Sequence, residues 1–433
     1  MFRTLMRCRS RGHRLSSVGA CLMLLAACAN SSPEAPGQQP VSPTIPLSAT
    51  GSIAPTPPID FAGWRNQFRQ EALAAGIPAD VFDRAFAGIE PDPAIIRADQ
   101  SQPEFTRPVW EYLESALSPQ RLAAGRRMLA QHADILSRIE QRYGVDRHIL
   151  VAIWGLESNF GNNMGDRLVV RSLATLAFEG RRPAFAHTQL IEALDILRRG
   201  DVATKELVGS WAGAMGQTQF IPSTYNSFAV DFDGDGRRDI WASAADALAS
   251  AANYLRESKW QTGHRWGMEV RLPESFDYAL ADMSTRKTVA EWERLGVSEA
   301  LGDAFTTSLS ANPATLLLPA GHKGPAFLIM NNFRSILRYN NSSSYALAIG
   351  LMSERLQGAG EIQASWPTND APLSRSERME LQERLEAGGF EPGGVDGIIG
   401  ANTRQAIRRL QQSLGLPADG YPTVELLKTL RQN

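Results

Sequence analysis

Cysteine is almost missing from this chain: of 433 residues only three are Cys, at positions 8, 21 and 28. Cys8 and Cys21 fall in an N-terminal stretch that reads as a removable leader, so no pair is left to form a disulfide. Stability must come from core burial, with a metal as the one further candidate source, and 433 residues suffice for two or three domains. A surplus of one charge is lacking too. There are 44 basic and 46 acidic side chains, and nothing in those totals suggests nucleic acid as a partner. The N-terminal apolar run, Val18 to Ala27, is too short to span a bilayer as a stable helix. No internal repeat is evident.

What is present begins with a charge asymmetry. Arg3, Arg7, Arg9, Arg11 and Arg14 precede the apolar run with no acid among them. A basic start, a short apolar run and small residues describe a secretory signal over residues 1–27. The run ends Leu25-Ala26-Ala27-Cys28, which resembles a bacterial lipoprotein box, so Cys28 is expected to become the lipidated first residue and the membrane contact. Ala29 follows where an inner-membrane lipoprotein would carry Asp. The expected location is therefore the periplasm, anchored in the inner leaflet of the outer membrane. Without the leader, 39 basic residues face 46 acidic ones.

Residues 28–58 hold eight prolines among Ser, Thr, Ala and Gln and read as an extended tether. Folded structure is expected from about Phe61, with Trp64 and Phe68 at helical spacing. The chain is expected to be mainly helical to about residue 260, including one helical run from Arg121 to Tyr143. Two further helices are expected between Arg171 and Arg199, broken at Arg181-Arg182-Pro183. Short strands such as Met268 to Leu272 follow, then a helix at Thr288 to Leu295 with a Thr288/Glu291 capping box. Residues 59–360 are read as one folded domain, 361–374 as a linker and 375–433 as a separate tail.

The stretch GVDRHILVAIWGLESNFG, Gly144 to Gly161, draws the most attention. Asp146 is a good N-cap, and Ile149, Ile153 and Trp154 lie at helical spacing. Glu157 shares their apolar face. A carboxyl there is expected to stay protonated near neutral pH, because burial disfavours its ionised form. The plain alternative is a salt-bridged Glu at a frayed helix end.

Three more stretches stand out. Gly209 to Ser223, with Ser210, Gln219 and Phe220, offers close backbone approach beside amide and apolar contacts; a tightly packed small-residue helix is its alternative. Asp231, Asp233 and Asp235, with Gly236, match the first half of a calcium loop. The usual Glu at the twelfth position is replaced by Ala242, which leaves both Asp239 and Asp246 as candidates to close the shell. Asn331 to Ser342 reads locally as an N-cap and loop before a helix from Tyr345 to Leu356.

Together these motifs resemble the lytic murein transglycosylase B family. The likeness rests on Glu157-Ser158-Asn159-Phe160-Gly161, on Ala212-Gly213-Ala214-Met215-Gly216 with Gln219-Phe220, on the Asp231 loop and on Tyr339-Asn340, in the family's order. It implies a mainly α, lysozyme-like catalytic core with added helical and small β-containing parts. It also implies cleavage of the MurNAc–GlcNAc β-1,4 bond of peptidoglycan without water, leaving a 1,6-anhydro-MurNAc end. Glu157 matches the single acid/base, while Ser210, Gln219, Phe220, Tyr254, Tyr339, Asn340 and Tyr345 match groove-lining positions. Arg181 and Arg182 match a basic pair facing the acidic stem peptide. Asp231, Asp233, Asp235, the Arg237 carbonyl and either Asp239 or Asp246 match structural calcium ligands; no organic cofactor is implied.

The tail, with Leu381-Gln382, Val395-Asp396-Gly397 and Thr403-Arg404, resembles a three-helix peptidoglycan-binding module. The partners so implied are glycan strands, the membrane through Cys28 and enzymes of wall synthesis. A water-using muramidase and a non-catalytic wall-binding lipoprotein are the competing expectations.

Overall fold

The computed structural model describes residues 60–100, 107–302 and 304–432. The leader, the tether and Cys28 lie outside the described residues. The fold is mainly helical, with a curled five-stranded antiparallel sheet, a two-stranded ribbon pairing Arg167–Leu168 with Val208–Gly209, and a distinct three-helix segment at the C-terminus.

Two helices form the central pair. Arg147–Ser158 opens on Asp146, whose carboxylate accepts the His148 N–H at 2.7 Å, and ten of its twelve residues are buried. A helix apolar on nearly every side belongs inside a core. It packs against Ser343–Leu356, which is equally apolar and is capped by Ser342. Glycines on the two helices make room for aromatic rings packed against them. A side chain at Gly155 would stand 2.8 Å from the Phe160 ring, and one at Gly350 would strike the Trp266 indole at 2.4 Å. Pro119–Gln131, Ala133–Tyr143 and Ala244–Glu257 complete this core.

The run expected from Arg121 to Tyr143 is two helices, not one. The chain breaks at His132 (φ −110, ψ 22), whose ring packs edge-on against Trp154 at 5.3 Å. The segment expected as cap and loop is also different: Asn331–Tyr339 is a helix, with Asn332, Phe333, Ser335 and Ile336 buried. Asn332 anchors it by accepting the Gln261 N–H and donating to the Gln261 and His264 carbonyls.

A second helical body surrounds Val169–Glu179 and Pro183–Arg199, which break at 180–182 as the Arg-Arg-Pro sequence predicts. Phe61–Ala74 and Ala79–Ala85 pack on it, with Phe68 meeting the His187 ring edge-on at 4.9 Å, while Phe82 stacks on Phe86 and Phe68 lies tilted to both. The sheet has five strands in the order Lys287–Thr288, Pro313–Leu317, Ala326–Ile329, Gly267–Arg271 and Ser298–Glu299. Its register pairs Met268 with Leu328 and Thr315 with Ile329. Val289–Arg294 carries the capping box expected from Thr288 and Glu291, and its Trp292 fills the core on one side of the sheet.

The C-terminal helices Arg375–Ala387, Ala401–Ser413 and Val424–Gln432 enclose their own core of Leu381, Leu385, Ile407, Leu410 and Leu427. The preceding linker is not free. Glu269 accepts the Gln363 and Ala364 N–H groups at 2.8 Å, and Trp366 packs toward Trp110. The three-helix segment is pinned to the main body as well: Arg408 binds Asp282 at 2.5 Å and Asp419 meets His322 at 2.6 Å.

Candidate active site

Glu157 is 1% exposed at the last turn of its helix. Tyr345, from the antiparallel partner helix, donates its hydroxyl to Glu157 Oε1 at 2.5 Å, while Oε2 has no hydrogen-bond partner. Burial pushes the Glu157 carboxyl up to about 8, against a smaller opposing effect of the Tyr345 hydrogen bond. The group is thus neutral at pH 7 and holds one proton ready to give.

Among the described residues, every other buried carboxylate is engaged elsewhere. Asp99 binds Arg181, Asp201 binds Arg238, Asp419 meets His322, and Asp246 accepts three backbone N–H groups. The groups that face Glu157 are tyrosines.

The helix ends abruptly behind this residue. Asn159, Phe160 and Gly161 take φ of 49°, 58° and 82°, three consecutive left-handed residues, of which only the glycine adopts that region freely. Ser158 secures the reversal: its hydroxyl donates to the Gln217 carbonyl at 2.7 Å and accepts the Gly161 N–H at 3.0 Å.

Gly209 to Ser223 is not a helix but a folded loop, crossed by backbone bridges at Gly209–Met215 and Met215–Phe220, until Pro222–Phe228 begins. Ser210 Oγ accepts the Ala212 and Ala214 N–H groups and so shapes that loop. Gln219 sits at φ 52° with its amide donating to the Met164 and Gly216 carbonyls. Phe220 is buried against Tyr254 and Tyr339. Those two tyrosines meet edge-on at 5.1 Å, and Tyr339 donates to the Thr218 carbonyl while Tyr254 donates to that of Arg338. Burial, then the nearby Glu157 charge, holds the Tyr339 phenol well above its usual range.

Asn340, at the end of its helix, keeps a buried Oδ1 without a partner. Thr218, which the sequence did not single out, is 3% exposed and its hydroxyl has no partner either. Orphaned polar atoms at Glu157, Thr218 and Asn340 are what a polar ligand would satisfy. Arg181 is tied back to Asp99 through its backbone N–H at 2.9 Å and its guanidinium at 3.2 Å. Arg182 lies over the Phe185 ring.

In the acidic loop, carboxylate oxygens of Asp231, Asp233 and Asp246 lie within 4.8 Å of one another. Gly234 and Gly236, at φ 83° and 90°, make the sharp turn. Asp239 is used differently: its Oδ1 accepts the Trp241 and Ala242 N–H groups, closing the following turn. Asp235 pairs with Arg237 on the surface. An all-oxygen donor set with three converging carboxylates fits a hard divalent cation.

A cavity of about 710 Å³ opens at the opposite ends of the two central helices, lined by Trp260, Trp266, Glu299 and Glu354, and does not include Glu157. Its acids are mostly paired within the protein, Glu140 with Arg147 and Glu299 with Arg265.

A family profile described as a transglycosylase SLT domain matches residues 60–354, and one described as a putative peptidoglycan binding domain matches 374–430. The chain belongs to the lytic transglycosylase (SLT) family of enzymes that act on peptidoglycan, with a C-terminal peptidoglycan-binding module. It is similar to SltB3 of Pseudomonas aeruginosa, solved in complex with NAG-anhNAM-pentapeptide. The two share 61% identity over 86% of this chain and 99% of that one, with a TM-score of 0.84. The membrane-bound lytic murein transglycosylase B of Escherichia coli is 32% identical over 246 residues, 55% of this chain and 64% of that relative's length. The E. coli lytic transglycosylase Slt35, solved in complex with calcium, is 27% identical over 71% of this chain and 95% of that one, with a TM-score of 0.60.

Proposed function

We propose that this chain cleaves the MurNAc–GlcNAc β-1,4 bond of peptidoglycan and closes the released MurNAc into its 1,6-anhydro form, with Glu157 as the lone acid/base. The observation that carries this is the isolation of Glu157: one buried neutral carboxyl, faced by tyrosines, with the other buried acids engaged elsewhere. Hydrolytic glycosidases use two carboxyl groups, one of them to activate water or attack the sugar. Intramolecular ring closure needs one.

Glu157 gives its proton to the glycosidic oxygen as the C1–O bond breaks and the leaving sugar departs with a hydroxyl. The resulting carboxylate, steadied by the Tyr345 hydroxyl, takes the proton of the C6 hydroxyl while O6 bonds to C1. The proton returns to Glu157 and no water is consumed. O6 belongs to the same sugar, so it is held at high effective concentration against solvent. General acid–base assistance of this kind is worth roughly 10² to 10⁴ in rate. Ser210, Gln219, Phe220, Tyr254, Tyr339, Asn340 and Tyr345 form the walls of the sugar groove, and Arg181 and Arg182 flank it toward the stem peptide.

Asp231, Asp233 and Asp246, with Asp235 and the Arg237 carbonyl, would hold Ca²⁺, which would supply the counter-charge that lets those acids converge. The functional units of this reading are the leader 1–27, the tether 28–58, the catalytic part 59–360, the linker 361–374 and the wall-binding part 375–433. The body is lipid-anchored through Cys28 at the periplasmic face of the outer membrane, beside the strands it cuts and the enzymes that build them.

Mass spectrometry of a digest of purified sacculi tests the central step. Anhydro ends lighter than reducing ends by one water are expected. Reducing ends alone would establish a muramidase instead.

A further inference from the structure

Gln217 went unmarked in the sequence, yet it bridges the catalytic helix and the segment after the acidic loop. Its Oε1 accepts the Trp154 indole N–H at 2.9 Å, and its Nε2 donates to the Trp241 carbonyl at 3.1 Å. Its backbone works in parallel: the carbonyl accepts Ser158 Oγ at 2.7 Å, and the N–H donates to the Ile240 carbonyl at 2.8 Å. These bonds grip residues 154 and 158, and Glu157 lies between them.

The far end of the bridge is equally firm. Trp241 N–H donates to Asp239 Oδ1 at 2.9 Å, and Asp239 N–H donates to Asp246 Oδ2 at 2.8 Å. The left-handed reversal closes on the same amide, since a side chain at Gly161 would stand 3.0 Å from Gln217 Oε1.

A primary amide in such a place needs a reason. Gln217 is 6% exposed and Trp154 4%, so an unmet bond on either leaves a buried polar group without water or partner, whereas an apolar pair would carry no such liability. What a fully bonded buried network adds is a single defined arrangement.

We infer that Gln217 is a positioning residue for Glu157: by bonding Trp154 and Trp241 at once, it fixes the last turn of the catalytic helix and the reversal behind it. It touches no substrate in this role. The inference rests on Glu157 being the acid/base proposed above. With the bridge cut, the turn loosens, water reaches the carboxyl, and its proton is lost at lower pH. The groups that face this region are Tyr345 from Ser343–Leu356, Tyr339 from Asn331–Tyr339, and His132 against Trp154; none is altered by removing the amide.

The test uses the full chain with Gln217→Leu, which keeps bulk but removes both side-chain bonds, and Trp154→Phe, which removes one bond from the other end. On purified sacculi, kcat of Gln217→Leu should fall about tenfold with KM little changed, and the alkaline limb of the kcat/KM profile should move down by about one pH unit. The double variant should lose no more than the worse single one, because both cut the same link. If Gln217→Leu does not fold, Trp154→Phe alone must show the same limb shift. An alkaline limb at its wild-type position in the folded variants overturns the inference and leaves Gln217 a packing residue. An active Glu157→Gln would sink the acid/base assignment itself. An inactive Glu157→Gln beside Gln217→Leu of wild-type rate and profile sinks only this inference.

Discussion

Replacing Glu157 by Gln should do two opposite things: abolish turnover and stabilise the fold at alkaline pH. The carboxyl ordinarily titrates near 4.5 and burial raises it to about 8 in the folded chain. Between those values the folded state holds a proton that the unfolded chain has released. The contribution of Glu157 to folding stability is therefore fully present below pH 4.5 and is lost as pH rises through the window to about 8. At about 1.36 kcal/mol per pH unit, ionising Glu157 costs the native state up to about 5 kcal/mol.

A glutamine of the same shape never ionises, and it can still accept the Tyr345 hydroxyl. Thermal unfolding of the two proteins should thus nearly coincide at pH 5 and separate at pH 9, with Glu157→Gln the more stable by several degrees. Sacculus digestion by the variant should drop by at least about 10² while pelleting with the wall persists. A stability difference that stays constant from pH 5 to pH 9 would refute the claim that Glu157 is buried and protonated, whatever the activity.

Three further outcomes follow from the same geometry. Tyr345→Phe removes the bond that favours the Glu157 carboxylate, so the alkaline limb of the activity profile should move up by about one to two pH units and the maximal rate should fall; a limb that moves down contradicts the assignment. Calcium should bind with a measurable calorimetric signal and raise the Tm, by about 2.7 kcal/mol of stability at a hundredfold excess over Kd, and Asp233→Asn should lose most of this. Deleting 375–433 should weaken co-sedimentation with sacculi while leaving cleavage of soluble glycan fragments near wild type; unchanged co-sedimentation would remove wall binding from that segment.

Much of this was legible before any coordinates. The spacing of Ile149, Ile153 and Trp154 put Glu157 on a buried face, Asp146 marked the helix start, and Thr288 with Glu291 marked a capping box that is present in full. These are local effects, set within a turn or two of chain. The break at His132 was not visible, because the residues on both sides continue a helical pattern and the interruption is packed against Trp154. Asn331–Tyr339 read as a loop because its polar residues are satisfied by Gln261 and His264, some 70 positions earlier, which no local pattern reports. In the acidic loop, Asp239 and Asp246 were equivalent as letters. Only the fold turns Asp246 toward Asp231 and Asp233 and spends Asp239 on the next turn.

By itself, then, the sequence determined the mainly helical class and the placing of Glu157 on a buried helix face, because helical periodicity and caps act over short range. The tertiary structure alone decided that this carboxyl is dry, that Tyr345 from 188 positions away meets it, and that Gln217 locks its turn. Those are contacts between distant segments, and a side chain's proton affinity is set by what the whole fold brings to its surface rather than by its neighbours along the chain.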